Sequence, residues 1–248
     1  MPSISVIIIT LNESSKIESC LQSVAWASEI IVVDSGSTDN TTEICRKYTN
    51  EVYQTDWPGY GLQKNRALGY ATSDWVLSLD ADEFVTPELA TEIQKVLESG
   101  EVDTYKIPRL SSFCGKYLRH GGWWPDYVAR LFRNHSAQFS EDIVHERLLF
   151  SGKSGILKQH LKHASIDNLD AMLSKINSYS SSGAQKMVAR GKTTGLGSAI
   201  SHGFWIFFRT YFLRLGFLDG REGFMMAVSA GENTYYRYLK AYYLAKKQ

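Results

Sequence analysis

The sequence predicts an α/β fold in which a doubly wound mixed sheet is followed by a helical C-terminal extension. Over the first hundred residues, short apolar runs rich in β-branched residues alternate with segments of helical periodicity. Shorter extended pieces occupy residues 104–165, and amphipathic helices take over from residue 167. Such alternation is typical of a mainly parallel sheet with helices on both faces.

The first half contains four predicted strands. The run ISVIIIT at 4–10 is continuously apolar, as in a strand buried on both faces. The segment beginning TPELATEIQK has a Thr cap and Pro at the first helical position, which predicts a helix. The remaining expected elements are strands at EIIVVD, EVYQT and DWVLSLDADEF, and helices at NESSKIESCLQSVAWA, near Asp39 and at LQKNRALGYAT.

The later segments TYKIPRL, DYVARLFRN, ERLLF and GILKQHLKHAS are predicted to be partly antiparallel strands that complete the sheet. We therefore expect one sheet domain over 1–166, divided into halves 1–100 and 101–166. A helical region, 167–248, follows and is interrupted by the Gly/Thr-rich stretch 191–198.

Composition narrows the possible functions. The 248 residues are 44% hydrophobic and carry a formal net charge of +1, which supports a sizeable core and gives no nucleic-acid footprint. The three cysteines are widely spaced and lack metal-finger spacing, so we expect a reducing, cytoplasmic setting. The N-terminus lacks the basic region and cleavage site of a signal peptide.

Polar residues follow three of the predicted strands, at Asn12, Asp34 and Asp80. Ligands of open α/β sheets bind outside the carboxyl ends of the strands, so we expect these residues to meet at one crevice. Asp34 suits a base N–H or a ribose hydroxyl. The alternative for SGSTD after it is a turn and a helix cap, with Asp39 as the cap.

Asp80 and Asp82 form an Asp-x-Asp pair at a strand end. Mg²⁺ and Mn²⁺ often use one or two protein carboxylates together with phosphate oxygens, so a metal there would neutralise the cluster while holding a diphosphate. The alternative is a solvated acidic loop. No Walker loop or G-x-G-x-x-G occurs in the sequence, which weakens the NTPase and dinucleotide-binding hypotheses.

Together, SVIIITLNE, IIVVDSGSTDNT, QKNRAL and WVLSLDADE resemble the inverting family 2 glycosyltransferases, which have the glycosyltransferase A-type fold with a Rossmann-like nucleotide-binding half. The pieces WWPDYVARLFRN, VHE and GFLDGREGF are similar to the branch that adds glucose to heptose in the lipopolysaccharide inner core. The resemblance covers the chain almost end to end.

This resemblance implies a UDP-sugar donor and a Mn²⁺ or Mg²⁺ cofactor. Asp82 would bind the metal. His145 would be a second ligand, or alternatively an ordinary hydrogen-bonding histidine; the other five histidines have no supporting motif. The residues implied at the nucleotide sugar are Thr10, Asn12, Glu13, Asp34, Lys64, Asn65, Asp80 and Ala81.

An inverting transfer also needs a carboxylate base to deprotonate the acceptor hydroxyl. Glu146 is the first candidate and Asp142 the second, and the sequence does not separate them well. The predicted acceptor-site residues are Trp123, Trp124, Asp126 and Arg130. Core packing is the alternative for one of the tryptophans, and an exposed strand charge is the alternative for Arg130.

The apolar C-terminal stretch is interrupted by charges, and Arg209 and Arg214 lie among aromatic residues. This pattern favours helices at the membrane interface over a transmembrane span. We thus expect a peripheral protein on the inner face of the cytoplasmic membrane with a lipid-linked glycan acceptor. The alternative for these helices is a packed subdomain or an oligomer interface. Competing functions are transfer to polyprenyl phosphate or another glycan, nucleotidyl transfer, and a non-catalytic carbohydrate- or membrane-binding module.

Overall fold

The computed structural model describes residues 2–141, 146–192 and 194–246. Twelve strands occur within these ranges. They are β1 (Ile4–Thr10), β2 (Glu29–Asp34), β3 (Val52–Gln54), β4 (Trp75–Asp80), β5 (Glu83–Val85), β6 (Thr104–Phe113), β7 (Lys116–Tyr117), β8 (Asp126–Arg133), β9 (Ala137–Phe139), β10 (Leu148–Phe150), β11 (Ser154–Ile156) and β12 (Leu161–Ile166).

Ten of these strands form one mixed sheet with the main order β3-β2-β1-β4-β8-β6-β12-β5, and β7 and β11 also pair with β6. The pairs β1/β2, β1/β4 and β2/β3 are parallel, whereas β4/β8, β6/β8 and β5/β12 are antiparallel. Strands β9 and β10 form a separate antiparallel pair. The predicted mixed sheet is therefore confirmed.

The helices follow the predicted alternation, and local sequence sets several of their ends. Thr86 accepts a hydrogen bond from the Leu89 amide, and Gly100 ends the same helix in the left-handed conformation. The helices are α1 (Ile17–Ser23), α2 (Thr41–Cys45), α3 (Tyr60–Tyr70), α4 (Pro87–Ser99), α5 (Leu169–Ala189), α6 (Leu196–Phe208) and α7 (Gly220–Ala245), with a π-helical turn (Arg209–Leu213) and a 3₁₀ turn (Gly216–Asp219).

The single strand predicted over 74–84 is wrong. The chain instead turns at Ala81 and Asp82, and the second piece becomes β5. This piece leaves β4 and pairs with β12, with Glu83 opposite His163. Neither Gly nor Pro marks this turn in the sequence DADEF.

The chain divides into two compact units. Unit 1 comprises Met1–Arg109 and Asp126–His163, and unit 2 comprises Leu110–Pro125 and Ala164–Gln248. The division into a sheet domain over 1–166 and a helical region over 167–248 stays a prediction.

Unit 1 has hydrophobic clusters on both sides of its parallel strands. Alternate β1 residues separate them: Val6 and Ile8 join α1 and α4 in one cluster, whereas Ile7 and Ile9 join Ala67 of α3 in the other. These clusters confirm the doubly wound arrangement and fix the strand ends that carry the predicted site.

In unit 2, α7 packs against α5 and α6. Gly203 and Gly231 allow a close approach of α6 and α7, because a Cβ at Gly231 would lie 3.0 Å from the Gly203 carbonyl oxygen. Within the described ranges, none of the helices combines the length and hydropathy needed to cross a bilayer.

Candidate active site

The ends of β1, β2 and β4 bring the predicted polar residues together. The register places Thr10 opposite Asp34 and Ile9 opposite Asp80. The Asp34 carboxylate is fully buried and accepts hydrogen bonds from Thr10, Gly36 and Ser37. Asp34 therefore organises the turn after β2, as the turn alternative expected, and its nucleotide contact stays a prediction.

The loop after β1 is tied to the loop after β2. Asn12 adopts a positive φ of 55°, and its side-chain oxygen accepts a 2.8 Å hydrogen bond from the Thr38 amide. Asp39 accepts from the amides of Ser14 and Thr41, and the Thr41 hydroxyl lowers the Asp39 pKa from 3.8 to about 2. The adjacent Glu13 amide donates to the Thr41 hydroxyl. These bonds hold two predicted nucleotide-binding positions, 12 and 13, in a defined loop.

A chain of alternating charges runs through the centre of unit 1. Lys64 Nζ lies 2.6 Å from Glu146 Oε1 and 2.9 Å from Asp80 Oδ1. Arg130 pairs with Asp80 and, at 2.8 Å, with the fully buried Glu83. We call the complete set the charged chain; in order it is Asp126, Arg109, Glu83, Arg130, Asp80, Lys64 and Glu146.

The charged chain explains how two of the three carboxylates at positions 80, 82 and 83 are neutralised. Burial raises the Asp80 pKa, but the charges of Arg130 and Lys64 outweigh burial and hold that pKa far below its usual range. Burial likewise lowers the Arg130 pKa, and Asp80 and Glu83 outweigh it, so the net shift is upward. The protein's own cations therefore neutralise two of the three carboxylates.

Asp82 is the third carboxylate, and it stands apart from this chain. Its Oδ2 lies 3.3 Å from His163 Nε2. Among the described residues, no group of three or more His, Cys, Asp or Glu side chains is arranged to hold a metal ion. One carboxylate and one imidazole fit a divalent ion that takes its other ligands from substrate oxygens.

Glu146, the first base candidate, lies beside helix α3. Glu146 is half-buried and accepts from Lys64, whereas Asp142 and His145 lie outside the described residues. Asn65 is joined to β9 at both ends of its amide, donating to the Phe139 carbonyl at 2.9 Å and accepting from the Phe139 amide at 2.8 Å. The Asn65 amide therefore anchors α3 to the end of β9, and its donor contact stays a prediction. Buried Ala81 occupies the turn between β4 and β5.

The predicted acceptor residues fall in different units. Trp123 and Trp124 are half-buried in unit 2; the Trp123 ring meets the Phe113 ring edge-on at 6.1 Å, and Arg119 lies over the Trp124 ring. Asp126 and Arg130 lie in unit 1, where both take part in the charged chain. Their acceptor roles stay predictions.

Three residues of this site had no assigned role in the sequence analysis: Glu83, Arg109 and His163. Glu83 and Arg109 meet through a 3.1 Å ion pair between positions 26 residues apart. The available signal was an arginine within the apolar strand segment KIPRL, which requires a buried partner. His163 reaches Asp82 through the β5/β12 pairing.

Comparisons with known proteins agree with the motif resemblance. The sequence profile described as Glycosyl transferase family 2 matches residues 5–164. An uncharacterized glycosyltransferase of Rickettsia conorii is 31% identical over 241 residues, covering 91% of this chain and 84% of the relative. The lipopolysaccharide core biosynthesis glycosyltransferase LpsC of Rhizobium meliloti is 28% identical over 253 residues, covering 96% of this chain and 92% of LpsC.

A solved structure is similar over part of the chain. It is glucosyl-3-phosphoglycerate synthase from Mycobacterium tuberculosis in complex with Mn²⁺ and UDP-glucose, at 28% identity and a TM-score of 0.39. The match covers 45% of this chain and 44% of that one.

Proposed function

The chain belongs to glycosyl transferase family 2, and from this membership we propose that it transfers glucose from UDP-glucose to a heptose hydroxyl of the lipopolysaccharide core, with inversion. The observation that carries the proposal is the environment of Asp82. Asp80 and Glu83 form ion pairs with the Lys and Arg side chains of the charged chain, whereas Asp82 lies beside a histidine.

Asp82 and His163 would hold Mn²⁺ or Mg²⁺, whose chemistry when bound is Lewis-acid stabilisation of the leaving diphosphate. Lys64 and Arg130 supply positive charge beside Asp80. They keep this carboxylate ionised and fixed at the edge where nucleotides bind α/β sheets. Thr10, Asn12, Glu13, Asp34 and Asn65 would complete the donor site.

Glu146 is the proposed base. It takes the proton of the acceptor hydroxyl as that oxygen attacks the anomeric carbon, and the bond from that carbon to UDP breaks. Lys64 donates to Glu146 and so holds the carboxylate in place. Asp142 stays the second candidate.

The similarity to LpsC, a glycosyltransferase of lipopolysaccharide core biosynthesis, supports a lipopolysaccharide core acceptor. Such an acceptor is lipid-linked, so we place the enzyme peripherally on the inner face of the cytoplasmic membrane. Trp123, Trp124 and Asp126 are proposed acceptor contacts. A homo-oligomer is compatible with this proposal.

Calorimetric titration with UDP, GDP and CMP, each with and without Mn²⁺, tests the donor. We expect Mn²⁺-dependent binding of UDP alone. Asp82→Asn should abolish this dependence with the fold intact, and Asp56→Asn, at an exposed ion pair, is the matched control. Equal UDP affinity of Asp82→Asn and wild type in Mn²⁺ would exclude the metal role.

The base is tested in a transfer assay with UDP-glucose and heptose acceptors. Glu146→Gln should keep UDP binding and lose turnover by roughly 10²–10⁴-fold, the usual contribution of a general base. Asp142→Asn should retain most of the activity. The reverse result would move the assignment to Asp142.

A further inference from the structure

Unit 2 carries a continuous aromatic surface along α6 and the turns that follow it. Phe208 stacks on Phe204 and Trp205 with ring centroids 6.4 and 6.1 Å apart, and it lies 5.1 Å from Phe212. Tyr211 extends the contacts. We call the whole set the aromatic ridge: Phe204, Trp205, Phe208, Tyr211, Phe212, Phe217 and Phe224.

Much of this ridge is exposed. Phe204 is 66% exposed and Trp205 is 51% exposed, and Phe212, Phe217 and Phe224 are exposed as well. Single exposed apolar residues are ordinary on protein surfaces, but contiguous apolar surface marks an interaction site. Exposed leucines adjoin the ridge in sequence at 213, 215 and 218.

Charge beside the ridge is positive. None of Arg209, Arg214 and Arg221 forms an ion pair with a residue that the structure describes. The two acidic residues between positions 209 and 222 both have partners within the protein. Asp219 is buried and accepts hydrogen bonds from the amides of Arg119 and His120, and Glu222 forms an ion pair with Lys116. The cations of this segment are therefore available to an external anion.

The same sign holds for the whole unit. The sequence of unit 2 contains thirteen lysines and arginines against five aspartates and glutamates, a net charge of +8. Unit 1 contains fourteen against twenty-one, a net charge of −7. Two copies joined ridge to ridge would bring like charges together, whereas an anionic surface would be attracted.

We propose that the aromatic ridge inserts into the interface of an anionic lipid bilayer, with Arg209, Arg214 and Arg221 contacting lipid phosphates. Aromatic side chains favour the boundary between headgroups and acyl chains, and basic residues beside them attract anionic lipid. The proposal goes beyond the transferase function because it depends on neither the donor nor the metal. It requires only unit 2 of the chain.

Vesicle co-sedimentation of the full chain tests the ridge. Wild type should bind vesicles of phosphatidylcholine with phosphatidylglycerol more tightly than pure phosphatidylcholine, and added salt should weaken the binding. The double variant Phe204→Ser/Trp205→Ser should lose at least about tenfold in affinity, the scale of an aromatic side chain returned to water. Arg214→Gln and Arg221→Gln should each lose about fivefold on anionic vesicles.

Tyr179→Ser is the matched control, because Tyr179 lies on α5 in the same unit and is 57% exposed. It should bind vesicles like wild type. Circular dichroism and Mn²⁺-dependent UDP binding identify a variant that has lost its fold or its donor site. UDP binding is measured separately from vesicle binding. If wild type did not bind UDP, the proposed function would be wrong, but the proposal for the aromatic ridge would be unaffected.

Wild-type affinity of the double variant for anionic vesicles would overturn the proposal. If wild type is then also a dimer in sedimentation equilibrium and the double variant a monomer, the ridge is a contact between copies of the chain.

Discussion

Unit 1 and unit 2 depart from the usual burial of residues in opposite directions. Unit 1 encloses charge: Lys64, Glu83 and Arg130 are all buried. Unit 2 exposes aromatic rings, with Phe204 and Trp205 more than half accessible. Buried charges require partners, and exposed aromatic surface calls for an external one. The buried charges of unit 1 have their partners within the same unit, whereas the exposed rings of unit 2 are available to a partner outside the chain.

The unfolding free energy should fall most when one buried cation of unit 1 is removed. Arg130→Met leaves Glu83 and Asp80 short of their shared partner, so we expect a loss of about 3–5 kcal/mol in unfolding free energy, the scale for a broken buried pair. Urea denaturation measures it.

Arg66→Met is the matched control, because the Arg66–Asp56 pair is exposed and should contribute at most about 1 kcal/mol. Equal stability losses in the two variants would mean that burial does not distinguish these pairs. The contrast between the units would then lose its energetic basis.

A smaller effect should follow from crowding the contact between α3 and the end of β9. A Cβ at Gly61 would lie 1.8 Å from the Ser140 carbonyl oxygen, so Gly61→Ala should cost about 1–3 kcal/mol in unfolding free energy. Thermal and urea unfolding measure the change.

Gly69→Ala provides the comparison on the same helix, since its Cβ meets nothing within 4 Å. This variant should be stabilised by about 0.5–1 kcal/mol through helix propensity. Destabilisation by both alanines would show that helix α3 does not tolerate alanine generally, and the Ser140 contact would explain nothing.

Substitution of an exposed ring in unit 2 should change the stability least. Trp205→Ser removes a ring that is already exposed, so the unfolding free energy should stay within about 0.5 kcal/mol of wild type. Urea denaturation without lipid measures it. A loss comparable to that of Arg130→Met would identify Trp205 as a core residue.

Much of the fold could be predicted from local patterns. The β-branched run 4–10 and the Thr86–Pro87 start gave β1 and α4 nearly residue for residue, because periodicity and capping are short-range signals. The turn at Ala81–Asp82 could not be predicted. It depends on the pairing of β5 with β12, whose partner residues are 76 to 80 positions apart in the chain.

The site was predicted in part for the same reason. The ends of β1, β2 and β4 meet at one edge, which parallel topology alone implies. Arg109 and His163, the partners of Glu83 and Asp82, could not be predicted. They reach these carboxylates through antiparallel strand pairings, which a single sequence does not specify. The near-neutral net charge of the chain also concealed its division into a negative and a positive unit.

Two hydrogen bonds join the residues on either side of the segment 141–146, which carries both base candidates. Ser140 donates its amide to the Arg147 carbonyl at 2.8 Å, and the Arg147 amide donates to the Ser140 hydroxyl at 3.0 Å. Strands β9 and β10 continue this antiparallel pairing from Phe139 and Leu148 onward. Loop closure costs only about 0.6 kcal/mol for each doubling of length. Changes in the length of the chain between these two positions should therefore cost little unfolding free energy, provided that Glu146 keeps its hydrogen bond from Lys64.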